Sequence, residues 1–290
     1  MHDIGISRLS IGCQTFDNNI LKLCNRNNTK SQIAKIVNSA QEIVLSINID
    51  MMTGLPGQSL NSVDRDLKIL SEIKPDTVEY IRHEIVNPRV VKLYKENPQL
   101  MVDKDTLFEM VFQTQEWMSA NGYQQNGSFV DNKQWAYRYY WLHEMPIIAF
   151  GSRTRSYTKS ICYDKHQDIS TYSKILEKGT VPIGRFIFLN KRDQMYRSVL
   201  LRIQLKNGID KKWFQESFLL NPSEVFERLF SKLTEIGCLE EVNGAIRLTK
   251  HGAYFVEDVC DYIIDTALKE ESELLVRSSH SEGQTSSKLN

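Results

Sequence analysis

An acid inside an apolar run is the feature that most restricts this chain. From Ile47 to Gln58 the sequence reads Ile-Asn-Ile-Asp-Met-Met-Thr-Gly-Leu-Pro-Gly-Gln. Ile47, Ile49 and Met51 fall on one side of a strand at period two, and Asn48, Asp50 and Met52 on the other. A carboxylate in such a strand is costly to bury unless hydrogen bonds reach it. Gly54 and Gly57, with Pro56 between them, predict a tight loop, and Ser59 or Ser62 opens a helix. Two readings fit this stretch: a strand-to-helix connection whose acid caps neighbouring backbone, and a loop built to approach a ligand.

The pattern around it repeats. Met1 to Ser7 reads as the tail of a helix with a glycine stop, and Arg8 to Phe16 as a strand. Asp17 caps a short helix reaching Cys24, and Ser31 opens a helix with Ile33, Ile36, Val37, Ala40 and Val44 on one face. After the Asp50 strand come a helix carrying Val63, Leu67, Leu70 and Ile73, a break at Lys74-Pro75-Asp76, and a strand from Thr77 to Ile81. Short strands alternating with helices predict βαβ units and a parallel sheet. Ligands then sit at the carboxyl ends of the strands, which places Gln14, Asp50 and His83-Glu84 near one rim.

Asn87-Pro88 predicts a helix to Tyr94, and Asp103 caps another to Asn121, with Gly122 as its stop. Tyr123 to Val130 reads as extended. Trp135, Tyr137, Tyr139, Tyr140 and Trp141 form a dense aromatic run suited to a core or an interface. Ala149 to Tyr157 reads as a loop with two arginines, Arg153 and Arg155, either a surface turn or a contact for an anionic substrate.

Beyond Gly179 the character changes. Helices are expected over Asp193 to Leu205, after Gly208-Ile209-Asp210, and from Asn221-Pro222 to Gly237. Asn243-Gly244 predicts a hairpin within Leu239 to Leu248, and Thr249 caps a last helix to about Lys269. Helix, helix, two-stranded wing and helix resemble a winged helix. The hairpin carries Glu240 and Glu241 rather than a basic stripe, which argues against DNA. From Glu270 the composition predicts a disordered tail.

Charge and cysteine usage narrow the classes further. Lys plus Arg and Asp plus Glu both number 36, so no net field favours nucleic acid or an acidic membrane. No apolar run has a membrane-spanning length and the start is not a signal peptide, so the expected compartment is the cytosol. Cys13, Cys24, Cys162, Cys238 and Cys260 are widely spaced, as are the histidines, so no self-contained metal site is expected.

Taken together, the series Gly5 to Asp17, Asn25-Arg26, Asn48 to Gln58 and Lys74-Pro75-Asp76, with the Leu239 to Val256 hairpin and helix, resembles the radical S-adenosylmethionine (SAM) enzymes of the oxygen-independent coproporphyrinogen III oxidase family. That family also contains heme chaperones and radical methyltransferases. The resemblance covers roughly residues 3 to 265, weakly in the middle. It implies an α/β fold: a partial (β/α) barrel of radical SAM type over 1–175, a small winged-helix-like C-terminal domain over 176–269, and the tail 270–290.

The resemblance also implies that Gln14, Arg26 and Asp50 contact SAM, with a guanidinium fork for its carboxylate, a carboxylate for its ribose hydroxyls and an amide for its polar groups. Glu84 matches a backbone contact. Arg153 and Arg155 are candidate partners for substrate propionates, and the aromatic run for a flat tetrapyrrole. An electron donor such as flavodoxin or ferredoxin is implied as a partner. The family's Cys-x3-Cys-x2-Cys loop for a [4Fe–4S] cluster is absent, as are the first barrel strands. Cys13 and Cys24 do not replace it, being far apart, with Cys13 inside a strand. No side chain is therefore assigned a catalytic or metal-binding role. The chain is expected to be the C-terminal part of a radical SAM protein, inactive by itself in producing the 5′-deoxyadenosyl radical. Three activities remain open: porphyrinogen oxidation, non-catalytic heme binding, and methyl transfer to heme or a secondary metabolite.

Overall fold

The structure, a computed structural model, describes residues 4–43, 46–85, 87–123 and 136–285. The chain divides into two compact units, Met1–Asn126 and Gly127–Asn290.

The first unit runs β1 (Arg8–Gln14), α1 (Asn18–Leu23), α2 (Lys30–Glu42), β2 (Ser46–Thr53), α3 (Leu60–Ile73), β3 (Thr77–Arg82), α4 (Pro88–Glu96), a 3-10 turn (Pro98–Leu100) and α5 (Lys104–Ala120). The strands form a parallel sheet in the order β1-β2-β3, with Ile11 opposite Ile49 and Ile49 opposite Val78. Period-two alternation gives the sheet one apolar face. Ile11, Ile47, Ile49, Met51, Val78 and Tyr80 pack there with Val37 of α2, Val63, Leu67 and Leu70 of α3, and Met110 and Met118 of α5. Each such side chain, fully withdrawn from water, contributes about 1.5–3 kcal/mol. The helices therefore cover one face, and polar residues are left to the other.

Helix ends follow local chemistry. Ser59 caps α3 and Ser62 returns the bond as its third residue, so both candidate serines belong to one capping box. Lys74 ends α3 in the left-handed region, with φ 50°. Helix α2 starts one residue before Ser31, because the Thr29 hydroxyl accepts from Gln32 N at 3.3 Å while the Gln32 side chain accepts from Thr29 N at 2.9 Å. Asp103 caps α5, and Gly122 follows it with φ 80°.

The second unit comprises α6 (Ala136–Leu142), β4 (Arg155–Thr158), β5 (Ile161–Lys165), α7 (Ile169–Glu177), β6 (Ile183–Phe188), α8 (Lys191–Arg202), β7 (Ile209–Asp210), α9 (Lys211–Phe218), α10 (Pro222–Val225), α11 (Glu227–Glu235), β8 (Leu239–Val242), β9 (Ala245–Leu248), α12 (Lys250–Tyr254) and α13 (Val256–Thr285). Strands β4-β5-β6 form an antiparallel meander that the sequence reading did not anticipate, and Arg155 belongs to a strand rather than to the loop. These strands are short and mix polar and aromatic residues, so they carry little period-two signal.

A second small sheet, β7-β9-β8, turns at Asn243 and Gly244, with φ 51° and 78° as a tight hairpin requires. Its apolar side joins Phe214, Phe226, Leu229, Phe230, Leu233 and Val259 in one core. This is the expected helix–helix–wing–helix order, with two breaks: the helix after Asn221 is interrupted at Phe226, and the last one at Phe255. Helix α13 continues past Lys269 to Thr285, since no proline and no glycine before Gly283 interrupts it. Among the described residues no helix is long and apolar enough to cross a membrane.

Candidate functional site

The polar face of the parallel sheet is a hydrogen-bonded row running across all three strands. Ser10 of β1 stands opposite Asn48 of β2, and Asn48 opposite Thr77 of β3. The Thr77 hydroxyl donates to Asn48 Oδ1 at 2.8 Å, and Asn48 Nδ2 donates to Ser10 Oγ at 2.9 Å. Both Asn48 Nδ2 and the Ser10 hydroxyl also donate to the Asp50 carboxylate, the latter at 3.1 Å. Asn48 is fully buried and Asp50 half-buried. Burial raises the Asp50 carboxyl above its ordinary value, opposed by these two hydrogen bonds and by the charge of Arg8. An acid held this way keeps acceptor capacity directed at whatever lies on that face.

Gln14 joins Asp50 on the same face. It ends β1 with φ 68°, a conformation unusual for a side chain larger than glycine, after a bulge that leaves Cys13 without a partner in the register. Gly12 stands opposite Asp50, and a Cβ added to Gly12 would lie 2.9 Å from Gln14 Nε2. The glutamine amide therefore folds over the strand where only glycine leaves room. Its Oε1 is buried with no hydrogen-bond partner.

Arg26 follows α1. Asn25 (φ 55°) turns the chain, Arg26 N donates to Leu21 O at 2.8 Å, and Asn28 Nδ2 donates to Cys13 O at 3.2 Å, tying this loop to the end of β1. The Arg26 guanidinium is exposed, has no carboxylate partner among the described residues, and acts electrostatically on both Cys13 and Cys24.

The loop after β2 completes the rim. Gln58 Oε1 accepts from Leu55 N at 3.0 Å and its Nε2 donates to Met52 O at 3.0 Å, so the glycine-proline turn is braced from within. Gly54, at φ 80°, lies where a Cβ would meet Leu107 at 2.9 Å. His83 extends the ladder by donating its N–H to Thr53 O at 2.8 Å; burial lowers its imidazole pKa, and its Nε2 is buried without a partner.

The pair in the second unit is differently placed. Arg155 stands opposite Asp164 and grips it with two bonds, Nε to Oδ1 at 2.6 Å and Nη2 to Oδ2 at 3.0 Å. Arg153 is exposed at φ 61°, its N–H donating to His166 O at 3.2 Å. Of the aromatic run, Trp135 lies outside the described residues. Tyr139 stacks on His143, and Trp141 packs under the Arg197 guanidinium with its ring centre 4.6 Å away.

The residues present fit SAM: an unpartnered buried acceptor at Gln14, an acceptor carboxylate at Asp50 and an uncommitted cation at Arg26. They do not fit an iron–sulfur cluster. Among the described residues no three His, Cys, Asp or Glu side chains are grouped to hold a metal. Cys13, the cysteine nearest the rim, is buried, and desolvation pushes its thiol up to about 12.

Ser10, Gly12, Asn48 and Thr77 escaped the sequence reading as site residues. The shared parity of Asn48 and Asp50 was visible, but their partners depend on strand register.

Comparison with known proteins bears on the same elements. Residues 189–255 match the family described as "HemN C-terminal domain". The oxygen-independent coproporphyrinogen III oxidase of Pseudomonas aeruginosa is 23% identical over 283 residues, covering 90% of this chain and 61% of its own length. The heme chaperone HemW of Buchnera aphidicola is 26% identical over 269 residues, covering 90% and 69%. The solved structure of coproporphyrinogen III oxidase (HemN) from Escherichia coli, described as a radical SAM enzyme, superposes with a TM-score of 0.74 at 19% identity, over 90% of this chain and 65% of that one. The chain is thus similar to HemN-like proteins over most of its length, and residues 189–255 match their C-terminal domain. It spans about three fifths of the length of the HemN-type oxidase relatives it matches. The HemN-like fold accounts for the α/β first unit, whose parallel strands end at Gln14, Thr53 and Arg82, and for the small C-terminal helix-and-wing module.

Proposed function

We propose that the polar face of the first unit holds SAM, and that this chain supplies the SAM-holding part of a HemN-like protein acting on tetrapyrroles in the cytoplasm. The observation that carries this reading is the convergence of Gln14 and Asp50 on one face above Gly12, with the Gln14 acceptor buried and unpartnered. Asp50 would accept from ribose hydroxyls, Gln14 from a donor of the ligand, and Arg26 would pair with its carboxylate. When bound, SAM supplies the reactive sulfonium. The relatives named as coproporphyrinogen III oxidases favour oxidative decarboxylation of porphyrinogen propionates as the reaction, with a [4Fe–4S] cluster on ligands other than the described residues and reduction by a flavodoxin or ferredoxin. Arg153 remains available to a propionate; Arg155 would first have to leave Asp164.

A second reading, a tetrapyrrole binder without radical chemistry, draws support from the HemW relatives. Two titrations separate them. S-adenosylhomocysteine followed by calorimetry should bind with unit stoichiometry, and Asp50→Ala should abolish it. Hemin that shifts its Soret band on a chain indifferent to S-adenosylhomocysteine would favour the binder.

A further inference from the structure

Beside the ligand-facing residues lies a buried carboxylate that none of the site's contacts uses. Asp66 of α3 is 1% exposed and touches the turn that follows β1. Its Oδ2 accepts from the Thr15 hydroxyl at 2.8 Å and its Oδ1 from Phe16 N at 2.8 Å. Thr15 Oγ1 in turn accepts from Asp17 N at 3.1 Å. The neighbouring Arg65 donates from Nη2 to Asp17 Oδ2 at 3.1 Å, while Asp17 Oδ1 caps α1 by accepting from Asn19 N and Ile20 N. Two consecutive residues of α3 thus hold three consecutive residues of the turn, one position beyond Gln14.

That turn carries strain. A non-glycine residue in the left-handed region is strained and persists where its surroundings fix it. Gln14 must adopt φ 68° for its amide to lie over Gly12. Left free, the residue would relax to extended backbone, and a strand continued by one residue turns its side chain to the opposite face. The same turn launches α1, and α1 delivers Arg26.

We propose that Arg65 and Asp66 are positioning residues of the SAM site, clamping Thr15, Phe16 and Asp17 so that Gln14 keeps its left-handed backbone and Arg26 its approach. The inference rests on the SAM reading given above. Burial raises the Asp66 carboxyl, against the bonds from Phe16 and Thr15 and in the presence of Asp17 and Arg65. A charge retained at such cost suits a clamp better than a packing role, for which an apolar residue of α3 would serve.

The test measures two quantities on the full chain: amide hydrogen exchange of the Gln14–Ile20 segment without ligand, and affinity for S-adenosylhomocysteine. Asp66→Ala and Thr15→Val should accelerate exchange in that segment while leaving β2 and β3 protected, and should weaken affinity by about tenfold or more. Asp66→Asn, which keeps an acceptor for Phe16 N, should recover most of that affinity; a purely volumetric role would let Asp66→Leu recover it equally. Thr15→Val keeps the side chain's shape, so it serves where Asp66→Ala does not fold.

Affinity unchanged in Asp66→Ala and Thr15→Val, with wild type and Asp50→Ala still distinguished, overturns the clamp alone. Unchanged exchange in Gln14–Ile20 overturns it as well. A wild-type chain that does not bind S-adenosylhomocysteine overturns the SAM reading and the positioning role together.

Discussion

Replacing Asn48 by alanine should dismantle the polar row, and its cost can be worked from the contacts. Asn48 accepts from Thr77 and donates to Ser10, two neutral bonds at 2.8 and 2.9 Å, and also donates to the ionised Asp50. Neutral bonds contribute about 1 kcal/mol each and a bond to a charge about 2 kcal/mol, so the gross loss is about 4 kcal/mol. Water entering beside the half-buried Asp50 relieves part of this, leaving about 3 kcal/mol.

Because the chain has two compact units, a single melting curve would mix them. Native-state amide exchange resolves the effect locally: amides of Ile47 to Met51 should lose about 3 kcal/mol of protection while the hairpin at Asn243-Gly244 is unchanged. Losing the Asn48 bond also removes one group that holds the Asp50 carboxyl down, so its titration should move further up. A protection change below about 1 kcal/mol, or an Asp50 titration that does not move, refutes the reasoning.

Three further outcomes follow from other contacts. Asp66 titrates near 6 in the folded chain against an ordinary 3.8, so the native state binds more protons than the unfolded chain between those values. Its contribution to stability is greatest on the acid side and is lost as pH rises through about 6, a change of about 3 kcal/mol for two pH units that Asp66→Asn should flatten in the amide-exchange protection of α3. Gly252→Ala would put a Cβ 2.0 Å from the carbonyl oxygen of Cys238, backbone against helix, and should destabilise the C-terminal module by about 3 kcal/mol, read locally as lost amide-exchange protection. Arg155→Ala breaks a pair whose arginine side chain is 56% exposed and should cost under about 1 kcal/mol in the same assay; a loss well above that contradicts a surface role.

The first unit was legible because its signals are local and agree with one another. Period-two apolar runs, Asp17, Ser59 and Asp103 as caps, and Gly122 as a stop each act within one turn of chain, and the βαβ order then leaves a parallel sheet as the outcome. Asp50 was conspicuous as an acid in an apolar strand. Its partners were not, because Ser10 reaches Asp50 and Asn48, and Thr77 reaches Asn48, only through registers 40, 38 and 29 residues apart in sequence. The meander β4-β5-β6 stayed hidden for a different reason. Its strands have four to six residues, and β6 is exposed along its whole length, so burial wrote no alternation into it. The breaks at Phe226 and Phe255 were also invisible, since both aromatics suit a helix interior; Phe226 packs into the core, while Phe255 is half-buried.

The proposed SAM site requires Gln14, Arg26 and Asp50 to contact one nucleotide. Calorimetric titration of the 290-residue chain with S-adenosylhomocysteine tests this most directly, alongside Gln14→Ala, Arg26→Ala and Asp50→Ala. Saturable one-to-one binding, weakened by each substitution while the far-ultraviolet spectrum is preserved, is the predicted result. Heats of dilution alone, or binding that all three variants retain at wild-type strength, would contradict it.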